Sequence, residues 1–482
     1  MPNAEIRESF DRPSPRDACG FVKAARSRAA SAAQDDSADD SEDDTRLKMT
    51  MLNVRRFVVP ILRLIANIFF KRIESVGWEN VPSGPVIFAV NHPNGLIDPL
   101  FLLCFAPRPI AFLAKAPILR MPLIGWFARG LDTIPVYRTQ DNYATSKNQE
   151  MFAAARALLL RGGAIAIFPE GTTHSEPRLK ELKTGAARIA LGCGAAECPE
   201  IFIVPTAIFY TAKGSFRSDA LVYYGDAIKV APVPVDESGE PPRDAVDALT
   251  AQIESALAAL TLQADSREAL DLIARAQRVI SLGRDGLPEQ LDLRKRFIAG
   301  YTHLRQRDPV RLAQLQSRFE QFEAELGNAN LEPETLPAPS FRGSVRTLAT
   351  LLVTLPLALA GAVVHFPIYR LIRFLARRLT RDEELVASIK AVAGLVFYPL
   401  TYLILATLAW WRFGLAYGVV VAVALPLLGY IALRFFEQLD EVIGRTRSLT
   451  WRIARRSAFE RLMRTRAALR DEIVALAEEM GV

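Results

Sequence analysis

His92 and Asp98 stand six positions apart in Asn91-His92-Pro93-Asn94-Gly95-Leu96-Ile97-Asp98-Pro99. A neutral imidazole can accept a proton near pH 7. A carboxylate against its other nitrogen fixes the tautomer and stabilises the imidazolium that forms. This chemistry requires the two side chains to meet. Pro93-Asn94-Gly95 supplies a turn, because Pro fixes φ and both Asn and Gly tolerate positive φ. Asp98 then falls near the first turn of the helix that follows, a favourable place for a negative charge. Ahead of the block runs Val86-Ile87-Phe88-Ala89-Val90, a short apolar stretch of the kind that makes a buried strand. His92 is therefore expected just past a strand end. A His–Asp pair in a loop is by itself more often a hydrogen-bonded turn than a catalytic site, so the weight falls on what recurs downstream.

A second apolar strand, Ala164-Ile165-Ala166-Ile167, is followed by Phe168-Pro169-Glu170-Gly171-Thr172. A third, Ile201-Phe202-Ile203-Val204, ends in Pro205. Polar blocks in order, each placed after a strand, are more specific than any one of them. They resemble the glycerolipid acyltransferases, which move a fatty acyl group from a thioester to a glycerol hydroxyl. Asn-His…Asp-Pro resembles their first motif, Gly130 to Arg138 their second, Phe-Pro-Glu-Gly-Thr their third and Val204-Pro205 their fourth. The usual first motif has four residues between His and Asp, and this chain has five. The longer spacing looks like the fungal-type glycerol-3-phosphate acyltransferases, and the flexible Asn94-Gly95 pair can absorb the extra residue.

The resemblance implies roles. His92 is the general base and Asp98 orients it. Arg138 binds the substrate phosphate, since a guanidinium fork matches phosphate oxygens, and Lys115 adds charge to the same pocket. Glu170 hydrogen-bonds the glycerol part or shapes the loop, and Gly171 and Thr172 belong to the same substrate-binding block. Pro205 lines the acyl side. Many lysophosphatidate acyltransferases carry Arg where this chain has Thr173, and Lys183, before the small residues Gly185 and Ala186, can replace that charge. His174 reads as a loop residue. Phe216-Arg217-Ser218, Tyr223-Tyr224-Gly225-Asp226 and the stretch from Arg294 to Tyr301 again look like the glycerol-3-phosphate branch.

Other chemistries find little support. The four cysteines and four histidines show neither a pairing framework nor metal-ligand spacing, so no metal is expected. There is no Gly-x-Ser-x-Gly nucleophile elbow, and Gly192-Cys193-Gly194 lacks the third glycine of a dinucleotide fingerprint. No cofactor is expected beyond acyl-CoA or acyl carrier protein as co-substrate. The net charge of +6 accompanies long apolar stretches, which favours anionic membrane lipids or phosphorylated substrates over nucleic acid.

The elements that must position these residues follow from the chain in order. Residues 1–48 are rich in Ser, Ala and Asp and read as a disordered leader. Residues 49–75 form an apolar helix broken by Arg55, Arg56 and Arg63; an interfacial amphipathic helix and a core helix fit equally. Strands alternate with helical stretches over 76–232, which implies an α/β domain with a mixed sheet flanked by helices. Residues 233–336 follow a Pro- and acid-rich linker and show helical periodicity. Within a membrane domain at 337–437, the uncharged stretches 347–369, 391–411 and 413–433 each have the length to cross a bilayer. An Arg-rich amphipathic tail occupies 438–482.

The sequence therefore predicts an integral membrane acyltransferase with its catalytic domain on the cytoplasmic side. The expected acceptor is glycerol-3-phosphate, with lysophosphatidate as the alternative. A non-catalytic lipid-binding protein of the same fold is the rival of different class. Arg-rich segments after the first and third apolar stretches predict that the second and third form the crossing hairpin. The first, with Pro356, Pro367 and His365, is then expected to be a broken, re-entrant or interfacial helix.

Overall fold

The computed structural model describes residues 55–56, 58–119, 133–136, 146–193, 200–236, 239–280, 286–333, 336, 341–380 and 383–479. The expected leader at 1–48 lies outside the described residues.

A helix, α1 (Val58–Phe69), leads into the sheet. It carries Ala66 and Phe69 into the core and leaves Ile61 and Leu64 exposed on its other side. The described residues then form an eight-stranded mixed sheet. Its strands are β1 (Arg72–Val76), β2 (Val86–Val90), β3 (Ala111–Lys115), β4 (Ile134–Val136), β5 (Ala164–Ile167), β6 (Phe202–Tyr210), β7 (Asp219–Tyr224) and β8 (Ile228–Lys229). Their order is β1-β7-β6-β2-β5-β3-β4, with β8 also on β6. β2 lies between β5 and β6 and is parallel to both, while β7 and β8 run antiparallel to β6. Every residue of β2 is fully buried, as its unbroken apolar sequence demands of a strand covered on both faces.

Side chains alternate between the two faces. On one face Ile87, Ile165 and Ile203 pack under α4 (Ser146–Leu160), α5 (Gly185–Leu191) and α6 (Arg243–Leu260). On the other Phe88, Val90 and Val204 pack under Phe101 and Leu102 of α2 (Ile97–Phe105) and under Phe69 and Phe70. A short α3 (Ala116–Leu119) follows β3.

The domain boundary expected at 232 falls later. The stripe Val246, Leu249, Ile253 and Leu257 of α6 is buried against Ile87 and Ile165, so this helix belongs to the sheet. The Pro-rich linker before it is a surface crossing, not an end. The helical unit proper consists of α7 (Arg267–Ile280), α8 (Leu287–Arg307) and α9 (Pro309–Ala329).

Three helices follow: α10 (Phe341–Leu379), α11 (Glu383–Phe413) and α12 (Leu415–Ala454). Each is long and apolar enough to cross a membrane. Leu352, Val353 and Trp411 are exposed by 74%, 75% and 84%, a degree of apolar exposure that suits lipid. α10 is not broken: it runs through Pro356 and Pro367 as one helix. Packing against a neighbour can hold such a helix together where proline removes a hydrogen bond, and Leu351 and Ala358 of α10 cluster with Phe435 of α12.

The contacts of α10 constrain its course. Gly418 of α12 meets Ala406 and Trp410, so α11 and α12 form an antiparallel hairpin. His365, in the middle of α10, touches Tyr402 and Gly429, well inside the hairpin. N-terminal to His365, α10 packs toward Phe435, Leu439 and Val442. C-terminal to it, Arg373 and Arg377 approach Lys390. Both halves of α10 therefore lead to the same end of the hairpin, and the three helices cannot share one axis unless α10 bends or crosses steeply.

The Arg-rich amphipathic tail expected at 438–482 does not begin as a separate element. α12 extends past residue 438, and α13 (Arg456–Glu479) folds back onto the helical unit. Phe459, Leu462 and Leu469 are buried there with Val279, Phe319 and Phe322. Its apolar stripe needs a partner, and α7 and α9 provide one.

Candidate active site

The carboxyl ends of the parallel strands β2 and β5 lie side by side, with Ala89 opposite Ile167. The turn after β2 carries His92 and the loop after β5 carries Glu170. Asn91 anchors the first turn by pairing its side-chain amide with the backbone of Ile208, accepting from its N–H at 2.7 Å and donating to its carbonyl at 3.1 Å. Gly95 takes a φ of 32°, which accommodates the extra residue of this turn.

His92 Nδ1 lies 2.8 Å from Asp98 Oδ2. Asp98 is fully buried and also accepts the Asn94 N–H at 2.7 Å and the Tyr210 hydroxyl at 2.7 Å. Burial, and then the neighbouring Asp98 charge, push the Tyr210 phenol well above its ordinary range, so it stays a donor. With three donors on it, Asp98 holds His92 as the Nδ1–H tautomer, assigned from these bonds. The opposite nitrogen, Nε2, is then a free base with no partner among the described residues. Phe168 stacks on the imidazole at 4.1 Å between ring centres and fixes its plane.

Glu170 is buried behind this turn. Its carboxylate accepts the His92 N–H at 3.0 Å and the Lys180 N–H at 3.1 Å, and it pairs with His174 Nε2. Burial alone would raise its pKa. The His174 bond and the two backbone donors outweigh burial and hold the carboxyl below its ordinary value. His174 Nδ1 accepts the Glu176 N–H at 3.2 Å, so both of its ring nitrogens are used.

A cavity of about 520 Å³ opens in front of His92. Its walls come from the His92 turn, the Glu170–Leu179 loop, the β6–β7 connection, α7, α8 and Val386 of α11. Sheet domain, helical unit and apolar helices thus meet at one space. Helix α11 is also bonded to the turn after β2 and to the β6–β7 connection: Ser388 Oγ accepts the Leu96 N–H at 3.1 Å, and Lys390 donates to the Gly214 carbonyl at 2.7 Å.

Of the residues predicted for the site, His92 and Glu170 line this cavity and Asp98 stands directly behind His92. Pro205, Thr172 and Lys183 do not line it. Pro205 is buried within β6, opposite Ala89, and does not line the cavity. It sits between the segments paired with β8 and with β7, where a strand can lack a donor. Thr172 and Lys183 are exposed and off the cavity wall. Gly171, at φ 69°, makes the tight return after Glu170, a backbone conformation that favours glycine. Lys115 lies on β3 beside Val136. Arg138 lies outside the described residues. Sequence reading missed Tyr210 and Arg294. Each reaches the site from a distant element; Tyr210 carries no local signal, and Arg294 opens a stretch that resembles the glycerol-3-phosphate branch but was given no role.

Residues 72–209 match the acyltransferase family, and residues 281–481 match the glycerol-3-phosphate acyltransferase 2 C-terminal domain. Glycerol-3-phosphate O-acyltransferase 2 of Saccharomyces cerevisiae is 26% identical over 278 residues, 53% of this chain and 37% of that protein. Glycerol-3-phosphate O-acyltransferase 1 of the same yeast is 24% identical over 454 residues, 70% of this chain and 59% of that protein. A chloroplastic 1-acyl-sn-glycerol-3-phosphate acyltransferase of Arabidopsis thaliana is 29% identical over 146 residues, 30% of this chain and 38% of that protein. The chain spans less than two thirds of the length of each of these relatives. The resemblance to glycerolipid acyltransferases, and to fungal glycerol-3-phosphate enzymes among them, covers both the sheet domain and the C-terminal part.

Proposed function

We propose that this chain, which matches acyltransferases in both parts, transfers a fatty acyl group from an acyl thioester to a hydroxyl of glycerol-3-phosphate. One observation carries the reading: His92 has Nδ1 held by buried Asp98 and stands on the wall of the cavity with Nε2 unpartnered. Nε2 takes the proton of the acceptor hydroxyl as its oxygen bonds to the thioester carbonyl carbon. The carbon–sulfur bond then breaks, and the leaving thiolate recovers the proton from the imidazolium. Transfer is direct, with no enzyme-bound ester. Asp98 and the stacked Phe168 keep the ring in position throughout. Arg138 and Lys115 are assigned to substrate phosphate, and the donor is acyl-CoA or an acylated carrier protein. No metal or further cofactor enters this reading.

The test is acyl transfer by the purified protein with glycerol-3-phosphate and lysophosphatidate offered in parallel. Glycerol-3-phosphate should be acylated. Transfer to lysophosphatidate alone would favour the second reading, which the Arabidopsis match supports. Transfer to neither would leave a non-catalytic lipid-binding protein.

We further propose an integral membrane protein with the catalytic domain in the cytoplasm, α11 and α12 crossing as a hairpin and α10 dipping alongside. The arginines support this orientation. Arg370, Arg373 and Arg377 on α10, and Arg445, Arg447 and Arg452 on α12, crowd the catalytic end, while Arg412 stands at the hairpin tip. The same arginines would attract anionic lipid headgroups. In a background without native cysteines, Arg412→Cys should react with a membrane-impermeant thiol reagent in intact cells and Thr380→Cys should not. The reverse pattern would overturn this topology.

A further inference from the structure

The wall of the cavity contributed by the helical unit holds a charge that the mechanism above does not use. Arg294 on α8 is 8% exposed and lines the same cavity as His92. Its Nε donates to Gln277, and its guanidinium lies 5.0 Å from the ring centre of Phe209. Both partners are neutral. Burial first, and then the like charge of Arg278, push its pKa down to about 10. It makes no ion pair among the described residues, and its two terminal nitrogens donate to nothing there. Burying a cation without a counter-ion is costly. A protein that keeps one at a cavity wall offers an anion site with unspent donors. Glu170 cannot serve as the counter-ion, because its oxygens are committed to His174, Lys180 and His92.

We propose that Arg294 binds a phosphate monoester in the cavity, holding the phosphorylated substrate with its hydroxyl toward His92. This rests on the acyltransferase reading and deepens it. The helical unit becomes part of the substrate site, with Phe209 and Gln277 aiming the guanidinium fork. The phosphate is expected to be that of the acceptor. The monoester of coenzyme A has the same chemistry and is the second source.

Steady-state kinetics on the full chain, with glycerol-3-phosphate and acyl-CoA varied separately, tests this through Arg294→Gln and Gln277→Glu. The second variant leaves the packing of Arg294 nearly unchanged and gives it a carboxylate partner inside the protein, which competes with the ligand. Each should raise the KM for glycerol-3-phosphate about tenfold or more, with a smaller change in kcat, as loss of a ground-state contact does. Gln277→Glu should not lower the melting temperature, so the proposal stays open to test even if Arg294→Gln does not fold. A rise confined to acyl-CoA would support the site and make the donor the source of the phosphate. If Gln277→Glu moved neither KM by more than about twofold, the proposal would be overturned. Calorimetric binding of glycerol-3-phosphate and coenzyme A separates this from the reading beneath it. A wild-type protein that binds glycerol-3-phosphate or coenzyme A, and loses that binding in Gln277→Glu, but transfers no acyl group would keep the site and remove the activity. A wild-type protein that binds neither would remove the site.

Discussion

The loops after β2 and β5 each bring a histidine against a buried carboxylate, and the two pairs are built for different ends. His92 spends Nδ1 on Asp98 and keeps Nε2 for the cavity. His174 spends Nε2 on Glu170 and Nδ1 on the Glu176 N–H. A histidine with both nitrogens engaged cannot accept a substrate proton. Paired carboxylate and imidazole therefore do not identify a base; the leftover nitrogen does. The second pair still matters to the first, because Glu170 also accepts the His92 N–H and so fastens one loop to the other.

The sharpest way to break this contrast is to remove each imidazole. His92→Ala should lower kcat by about 10²–10⁴-fold, the usual worth of a positioned base, and Asp98→Asn should be comparably severe. His174→Ala should cost far less rate. If it cost as much as His92→Ala, the two histidines would share the chemistry and the contrast would fail. Tyr210→Phe probes the support behind the base. It removes one of three hydrogen bonds to a buried charge, so kcat should fall about tenfold and stability by about 1–3 kcal/mol. An unchanged kcat would mean that Asp98 needs only the turn.

The effect of His174→Ala should appear instead in stability, as a loss of about 1–3 kcal/mol from a buried carboxylate left short of a donor. The acid side of the stability profile gives the smallest and most specific signal. The Glu170 carboxyl is held below its ordinary value, so the unfolded chain binds its proton more readily than the folded one. The stability it contributes is fully present above the unfolded value of about 4.3 and is lost as pH falls through the folded value. Melting temperatures followed down to about pH 3 should drop more steeply for wild type than for Glu170→Gln. Parallel curves would show that Glu170 is not the clasp described.

The parts of this site that were legible in the sequence are those that are close in the chain. His92 and Asp98 are joined by a single turn with its own chemistry, and β2 and β5 announce themselves as unbroken apolar runs. Tyr210 reaches Asp98 across 112 positions, and Ser388 reaches Leu96 across 292. Such contacts depend on the whole fold, and nothing in the few residues around either tyrosine or serine encodes them. Pro205 shows the opposite limit: its motif is strong, and motif strength did not say that the residue stands inside the strand, off this cavity's wall. The prolines of α10 misled, since a rule drawn from isolated helices does not include a neighbour that holds the helix together. The stripe of α6 was read correctly as a helix and assigned to the wrong unit, because periodicity says that a face is buried and not what covers it.

The length of α12 has a consequence for where the reaction takes place. Forty residues of helix measure about 60 Å, twice the ~30 Å hydrocarbon core of a bilayer. Its first charge is Arg434, so the uncharged part roughly fills a core and the remainder stands clear of it as a mast. Arg217 of the sheet domain grips Glu437, one turn beyond that first charge. With the uncharged part seated in lipid, this grip fixes the height of the cavity at the water line. In the proposed reaction a polar acceptor would enter from one phase and a long-chain product would leave into the other without crossing open water. The rate of such a catalyst is set by how many molecules occupy each unit of membrane area, so dilution with inert lipid or detergent lowers it even when the bulk concentrations of enzyme and substrate are unchanged.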